Sequence, residues 1–152
     1  MGLDVSELVK KGGVFYDVEG STPEEVYQNV TSMMEPIIGV ETGKIYEALC
    51  QREKIMSTAV GNGIALPHAR TPLIKDEEDQ RIIVVFPKTP LDMKAPDSID
   101  VSTMFILLSS NPTIHLQILS SLVGIFQNSG FRRLLEEKAS ESELLKAIKN
   151  LS

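Results

Sequence analysis

The 152-residue sequence has one cysteine, two histidines and no tryptophan. A single cysteine forbids an internal disulfide and fits a reducing compartment. Two histidines and one cysteine scattered along the chain do not make a zinc centre by spacing, so no metal is expected. The net charge is −6 and no lysine-arginine block is present, which leaves nucleic-acid binding without support. No apolar run approaches the roughly 18 residues of a membrane span. Met1 to Gly13 carries lysines and an aspartate where a secretory signal would carry an apolar centre. Repeats and low-complexity linkers are missing as well. The expectation is a single cytoplasmic domain over residues 1–152, with no nucleic-acid partner and no membrane insertion. Such a chain can bury roughly 70% of its unfolded surface, and its 42% apolar and 24% charged residues are those of an ordinary globular protein.

What is present is an alternation of helical and strand patterns. Thr22-Pro23-Glu24-Glu25 reads as a helix start, with a Thr cap, Pro in the first turn and Glu three residues after the cap. Val26, Tyr27, Val30, Met33 and Met34 then keep helical spacing until Pro36. A second helix is expected from about Thr42 to between Arg52 and Lys54, burying Ile45, Tyr46, Leu49 and Cys50. Val14 to Val18, Gly63 to Pro67, Ile82 to Phe86 and Val101 to Leu108 read as strands. Asn111-Pro112 opens a helix with Ile114, Ile118, Leu119, Leu122, Ile125 and Phe126 on one side. Helices over Phe131 to Lys138 and after the Ser140/Glu143 capping box complete the pattern. Elements interleaved in this way predict an α/β fold, with a mixed sheet covered by helices on both faces.

The chemistry concentrates around Gly61-Asn62-Gly63-Ile64-Ala65-Leu66-Pro67-His68-Ala69-Arg70. A histidine is mostly neutral at pH 7, so one ring nitrogen is a free nucleophile and needs no carboxylate base. Phosphoryl transfer asks for such a nucleophile and for donors around the phosphoryl oxygens. Arg52 and Arg70 are candidate oxygen ligands, because the guanidinium fork matches phosphate geometry. Ser57, Thr58, Asn62 and the amides near Gly61 and Gly63 are candidate neutral donors. Taken singly, these features have simpler readings. A histidine after proline is commonly a turn residue, Gly-Asn-Gly a tight turn, Arg52 a solvated helix end. His115 alone reads as a partly buried helix residue with one satisfied nitrogen. Asp76-Glu77-Glu78-Asp79 reads as a solvated loop, not a cation site. Gly61-x-Gly63 lacks the third glycine and preceding strand of a dinucleotide fingerprint, so no cofactor is expected.

Taken together, the residues resemble a family. Arg52-Glu53, Ser57-Thr58 and Gly-x-Gly-Ile-Ala-Leu-Pro-His-Ala are similar to the signature of the fructose/mannitol-type enzyme IIA domain of the bacterial phosphoenolpyruvate-dependent phosphotransferase system, which includes a nitrogen-regulatory branch. His115-Leu116-x-x-Leu119, the stretch Phe131 to Ile148 and the stretch Ser21 to Met34 extend the likeness over nearly the whole chain. The resemblance implies a three-layer α/β/α sandwich around a central mixed sheet. It implies that His68 accepts the phosphoryl group on Nε2, that Arg52 supports the phosphate, and that His115 assists without being the carrier. It implies a protein donor, HPr or a nitrogen-branch homologue, docking over an exposed site. Ala59 and Ala69 stand where glycine is common in the family. The segment Pro90 to Val101 and the loop Ser109 to Thr113 also depart from the commonest versions, which bears on docking more than on chemistry.

Two functions follow from the resemblance. One is a phosphocarrier that hands the group from His68 to a IIB domain and so drives sugar uptake. The other is a regulatory switch whose two states bind different targets, since phosphorylation adds roughly −1.5 to −2 of charge at one spot. No IIB, IIC or HPr-like segment is fused to the residues at hand, which favours the regulatory branch as an expectation. A non-catalytic partner-binding domain of the same fold is the remaining alternative, and the joint presence of Arg52, His68 and His115 speaks against it.

Overall fold

The computed structural model describes residues 4–37 and 39–152. Residues 1–3, the start of the segment read above as lacking a secretory signal, lie outside the described residues, as does residue 38. The chain runs α1 (Val5–Gly12), β1 (Val14–Val18), α2 (Pro23–Met33), α3 (Thr42–Ile55), β2 (Ala59–Gly61) and β3 (Ile64–Ala65). After a 3-10 turn over Glu77–Asp79 come β4 (Arg81–Pro87), β5 (Thr103–Leu108), α4 (Pro112–Phe126), α5 (Ser129–Glu136) and α6 (Glu141–Leu151). The strands form one five-stranded sheet in the order β1-β4-β5-β3-β2. β1/β4 and β3/β5 are parallel, whereas β2/β3 and β4/β5 are antiparallel. The mixed sheet expected from sequence is therefore present.

Every residue of β4 and β5 is buried, which is why Ile82 to Phe86 and Met104 to Leu108 read as apolar runs rather than as alternating ones. Their side chains divide strictly by parity. Ile83, Val85, Met104, Ile106 and Leu108 face a core shared with Val26, Tyr27, Val30, Ile45 and Leu49 of α2 and α3. Ile82, Val84, Phe86, Phe105 and Leu107 face the opposite core, with Val5 and Val9 of α1, Ile118, Leu122, Ile125 and Phe126 of α4, Phe131 of α5 and Leu144 and Ile148 of α6. The period-2 alternation of a strand thus makes one sheet serve two cores, giving three layers. Each such Val, Leu, Ile or Phe contributes roughly 1.5–3 kcal/mol by burial.

The helix starts follow the sequence signals. Thr22, Asn111 and Ser140 each accept a hydrogen bond from the third amide beyond them, and Ser140/Glu143 forms the complete capping box. Met33 is the last residue of α2 and is 52% exposed, whereas Met34, just past the helix, is buried. One expectation needs correction. The strand expected from Val101 begins at Thr103, since Val101 instead pairs with Leu91 across a separate loop. Helix α1 and strand β2 lacked a sequence assignment. α1 buries only Val5, Ser6 and Val9, too few for a clear periodic signal, although Asp4 caps it and Lys10 and Lys11 sit in its last turn.

One glycine sets how closely α1 lies on the sheet. A Cβ on Gly12 would stand 2.0 Å from the Ile82 carbonyl oxygen and 2.5 Å from its carbon, both rigid backbone atoms of β4. Gly12→Ala is expected to cost about 3 kcal/mol through forced displacement of the helix. Gly124→Ala, within α4 where an added methyl meets no atom within 4 Å, is expected to gain about 0.5–1 kcal/mol. Urea midpoints check both, and shifts of the same sign would refute the packing argument.

Candidate active site

His68 stands where the parallel strands β3 and β5 end. Asn62 and Gly63 take positive φ values of 56° and 77°, the geometry of a two-residue hairpin loop, and they fold β3 back against β2. β3 then lies parallel to β5, and the pairing continues past its last residue. The Leu107 amide donates to the Pro67 carbonyl at 2.9 Å, and His68 lies opposite Leu107. The half-buried ring places Nδ1 2.6 Å from the Leu66 carbonyl oxygen. A carbonyl only accepts, so Nδ1 carries the proton and the neutral ring presents its lone pair on Nε2.

His115 reaches the same spot from the other side of β5. The chain leaves β5 at Leu108, and Asn111 starts α4 by accepting from the Ile114 amide at 2.9 Å. The first helical bond, from the His115 amide to the Asn111 carbonyl at 3.0 Å, brings His115 one turn into the helix, back over the strand ends. The two imidazoles meet with centroids 4.8 Å apart and planes inclined by 56°. His115 Nδ1 lies 2.9 Å from the hydroxyl of buried Ser109. One ring nitrogen is satisfied, as the bland sequence reading required, yet the helix also delivers the ring to His68.

Arg52 and Glu53 come from the last turn of α3. Arg52 Nη1 donates to the Met56 carbonyl that ends its own helix, a common use of arginine at a C-terminus. Among the described residues no carboxylate lies within ion-pair distance of Arg52, so its charge is uncommitted. Glu53 does the opposite. Its carboxylate accepts from the Tyr27 hydroxyl at 2.7 Å, the Thr58 hydroxyl at 2.7 Å and the Thr58 amide at 2.9 Å. This knot joins α2, α3 and the entry to β2, and so fixes the helix end that carries Arg52. The Tyr27 hydroxyl is pushed to a higher pKa by burial and then by the Glu53 charge. In the sequence Glu53 stands out only as Arg52's neighbour, and Tyr27 reads as one more apolar helix position, so neither signals the other as a partner.

The remaining sequence candidates are placed differently. The Ser57 hydroxyl donates to the Met93 carbonyl, and the Thr58 hydroxyl to Glu53, so both protons are already spent within the protein. The Asn62 amide donates to Asp97 Oδ2 at 2.8 Å, which means the Gly-Asn-Gly turn holds the chain's own carboxylate rather than an outside anion. Amide bonds from Asn62 and then Ile99 hold the Asp97 carboxyl below its usual pKa. Arg70 is exposed and stands at the rim of an open pocket of about 210 Å³, lined also by Leu73, Leu107, Leu116 and His115. The structure thus brings His68 and His115 together, and the Arg52 charge acts on His68 from the end of α3. Asp76 to Asp79 is a surface turn, and no cluster of potential metal ligands occurs among the described residues.

Both imidazoles are biased towards the neutral form. Burial lowers the pKa of His68, with Arg52 adding in the same direction against the Leu66 carbonyl and Glu53. Burial and then the neighbouring His68 lower His115 to about 4. The folded protein therefore binds fewer protons than the unfolded chain between pH 4 and 6.5. Stability is at its full value above about pH 6.5, the unfolded pKa, and declines as the pH falls towards 4. Denaturant midpoints at pH 7, 5.5 and 4.5 check this sign, and a ring NMR titration of His115 with a midpoint above 6 would refute it. Tyr27→Phe, which removes the donor that a buried tyrosine gives to half-buried Glu53, is expected to cost about 1.5–3 kcal/mol in the same unfolding assay.

The chain is similar to proteins of one kind throughout. It is 27% identical over 150 residues to a nitrogen regulatory protein of Klebsiella oxytoca, covering 96% of this chain and 90% of that one. Nitrogen regulatory protein IIA-Ntr from Neisseria meningitidis superimposes with a TM-score of 0.81 at 28% identity, covering 95% of this chain and 98% of that one. Enzyme IIA for mannitol from Escherichia coli, solved in complex with phosphorylated mannitol enzyme IIB, shares the fold at 16% identity and a TM-score of 0.70, covering 90% and 94%. Residues 7–151 match the family profile described as the phosphoenolpyruvate-dependent sugar phosphotransferase system, EIIA 2. Match and fold agree over the same residues, and the chain belongs to that EIIA 2 family.

Proposed function

We propose that the chain works as one phosphocarrier domain that accepts a phosphoryl group on His68 Nε2 and serves as a nitrogen-regulatory switch. The observation that carries this reading is the bond between His68 Nδ1 and the Leu66 carbonyl, which leaves the Nε2 lone pair beside His115. In the reaction, that lone pair attacks the phosphorus of a phosphohistidine on HPr or its nitrogen-branch homologue. The new N–P bond forms as the old one breaks, and the bonding pair returns to the donor ring. A donor ring protonated on its other nitrogen leaves as neutral imidazole. His68 keeps its Nδ1 proton and becomes the positively charged ring, with the Leu66 carbonyl holding that proton. No general base is needed. Arg52 offers an unpaired guanidinium to the phosphoryl oxygens, worth more there than in bulk water.

A protein donor fits the rim. Met56, whose carbonyl Arg52 holds, is 68% exposed, and Leu116, next to His115, is 65% exposed. Apolar side chains presented beside a reactive group suit docking of a partner surface. The likeness over nearly full length to nitrogen regulatory proteins favours regulation. The second reading, a sugar-specific IIA handing the group to a IIB domain, draws on the mannitol IIA–IIB complex.

Phosphorylated HPr, or the nitrogen-branch homologue, is expected to label the wild type with acid-labile phosphate and His68→Ala with none. Unchanged labelling of His68→Ala would overturn the site. His115→Ala is expected to accept the group but pass it on more slowly. Onward transfer to a IIB protein would move the assignment to sugar uptake, and a wild type that takes up no label would leave only a partner-binding domain.

A further inference from the structure

The orientation of one buried hydroxyl decides what His115 offers the reacting group. Ser109 is 5% exposed, and its Oγ has a single hydrogen-bond partner among the described residues, His115 Nδ1 at 2.9 Å. Two arrangements share that distance. If Nδ1–H donates to Ser109, the hydroxyl proton of this 5% exposed residue finds no acceptor among the described residues, at a cost of roughly 1–3 kcal/mol. If the hydroxyl donates to Nδ1, both groups are satisfied by one bond. At 1.4 kcal/mol per factor of ten, the second arrangement outweighs the first by roughly one to two orders of magnitude.

Ser109 is itself held in place. Gln80, 4% exposed on the segment entering β4, accepts through Oε1 from the Ser110 amide at 2.8 Å and the Ser110 hydroxyl at 2.9 Å. On the other side of Ser110, Asn111 is fixed as the cap of α4. The serine therefore sits between the last residue of β5 and the anchored Ser110, which fixes the backbone from which its hydroxyl meets the ring.

We propose that Ser109 is a positioning residue that fixes the His115 tautomer, so that His115 meets the phosphoryl group on His68 with an Nε2–H donor rather than a lone pair. This inference rests on the assignment of His68 as the carrier. With Nδ1 occupied as an acceptor, the neutral ring has its only polar hydrogen on Nε2. The opposite tautomer would set a lone pair against the negatively charged phosphoryl oxygens. The two histidines thus hold complementary tautomers through two different partners: a carbonyl puts the proton of His68 on Nδ1, and a hydroxyl puts that of His115 on Nε2. A neutral donor also grips the phosphoryl group less tightly than an imidazolium would, which suits a group that must move on.

The nitrogen spectrum of the ring tests this directly. Long-range proton–nitrogen NMR of the uniformly 15N-labelled protein at pH 7 is expected to show His115 as the Nε2–H tautomer. In Ser109→Ala the His115 signals are expected to move to a tautomer mixture, and in Ser109→Thr to return. Phosphoryl transfer from phosphorylated HPr through His68 is expected to fall about tenfold in Ser109→Ala, the equivalent of one weakened hydrogen bond in the transition state, and to recover in Ser109→Thr. An Nδ1–H tautomer in the wild type overturns the inference, as does a Ser109→Ala protein that keeps both tautomer and rate. The tautomer is read without any donor. Failure of His68 to be labelled in the wild type would therefore defeat the carrier reading separately.

Discussion

The parallel pairing of β3 with β5 is the constraint on which the candidate site depends. One bond, from the Leu107 amide to the Pro67 carbonyl, continues that pairing beyond the end of a two-residue strand and sets His68 against β5. Because α4 begins just past the end of β5, the same register fixes the distance between the two imidazoles. Slippage by one residue would turn His68 to the other face of the sheet. The register is protected from both sides: the Asn62-Gly63 hairpin pins the start of β3, and the divided burial of β5 pins its partner. Ligands in open α/β sheets commonly sit outside the carboxyl ends of strands, and here the ends of two parallel strands converge on one site.

Electrostatics around this point are built on restraint. The two rings are kept neutral by burial, while the one nearby carboxylate, Glu53, is tied to Tyr27 and Thr58. Among the described residues Arg52 has only a backbone carbonyl as partner. The site therefore keeps a cationic charge in reserve for an anion without holding an anion of its own against it. The other anion-friendly feature nearby, the glycine turn, is closed by Asp97. These differences separate the residues left open towards the proposed site from those that look alike in sequence but hold the scaffold.

Much of the fold was legible because its signals are local. Caps at Thr22, Asn111 and Ser140, and the apolar runs of β4 and β5, depend on residues within a few positions of one another. Helix α1 escaped because it shows the core only Val5, Ser6 and Val9, and its closest contact with the sheet is made by Gly12, a residue with no side chain to read. At the candidate site, motif resemblance singles out His68, His115 and Arg52 and so stands in for three-dimensional information. Ser57, Thr58 and Asn62 lie inside the same motif, and their chemical type alone makes them candidate donors. Whether a hydroxyl is free depends on partners 36 residues away, as for Ser57 and Met93, or on a neighbouring helix, as for Thr58 and Glu53. Glu53, Tyr27 and Ser109 were invisible for the same reason: each acts through a partner that only the folded chain supplies.

The bond between Nδ1 of His68 and the Leu66 carbonyl has a consequence for energetics as well as for aim. In the proposed reaction the ring keeps its Nδ1 proton, so the bond to the Leu66 carbonyl would serve the loaded ring as it serves the empty one. An N–P bond is exchanged for another N–P bond, so the chemistry of such a carrier would itself be close to thermodynamically level. The direction of flow through it would then be set by how much phosphorylated donor and empty acceptor surround it, making the site a gauge of its neighbours' phosphorylation.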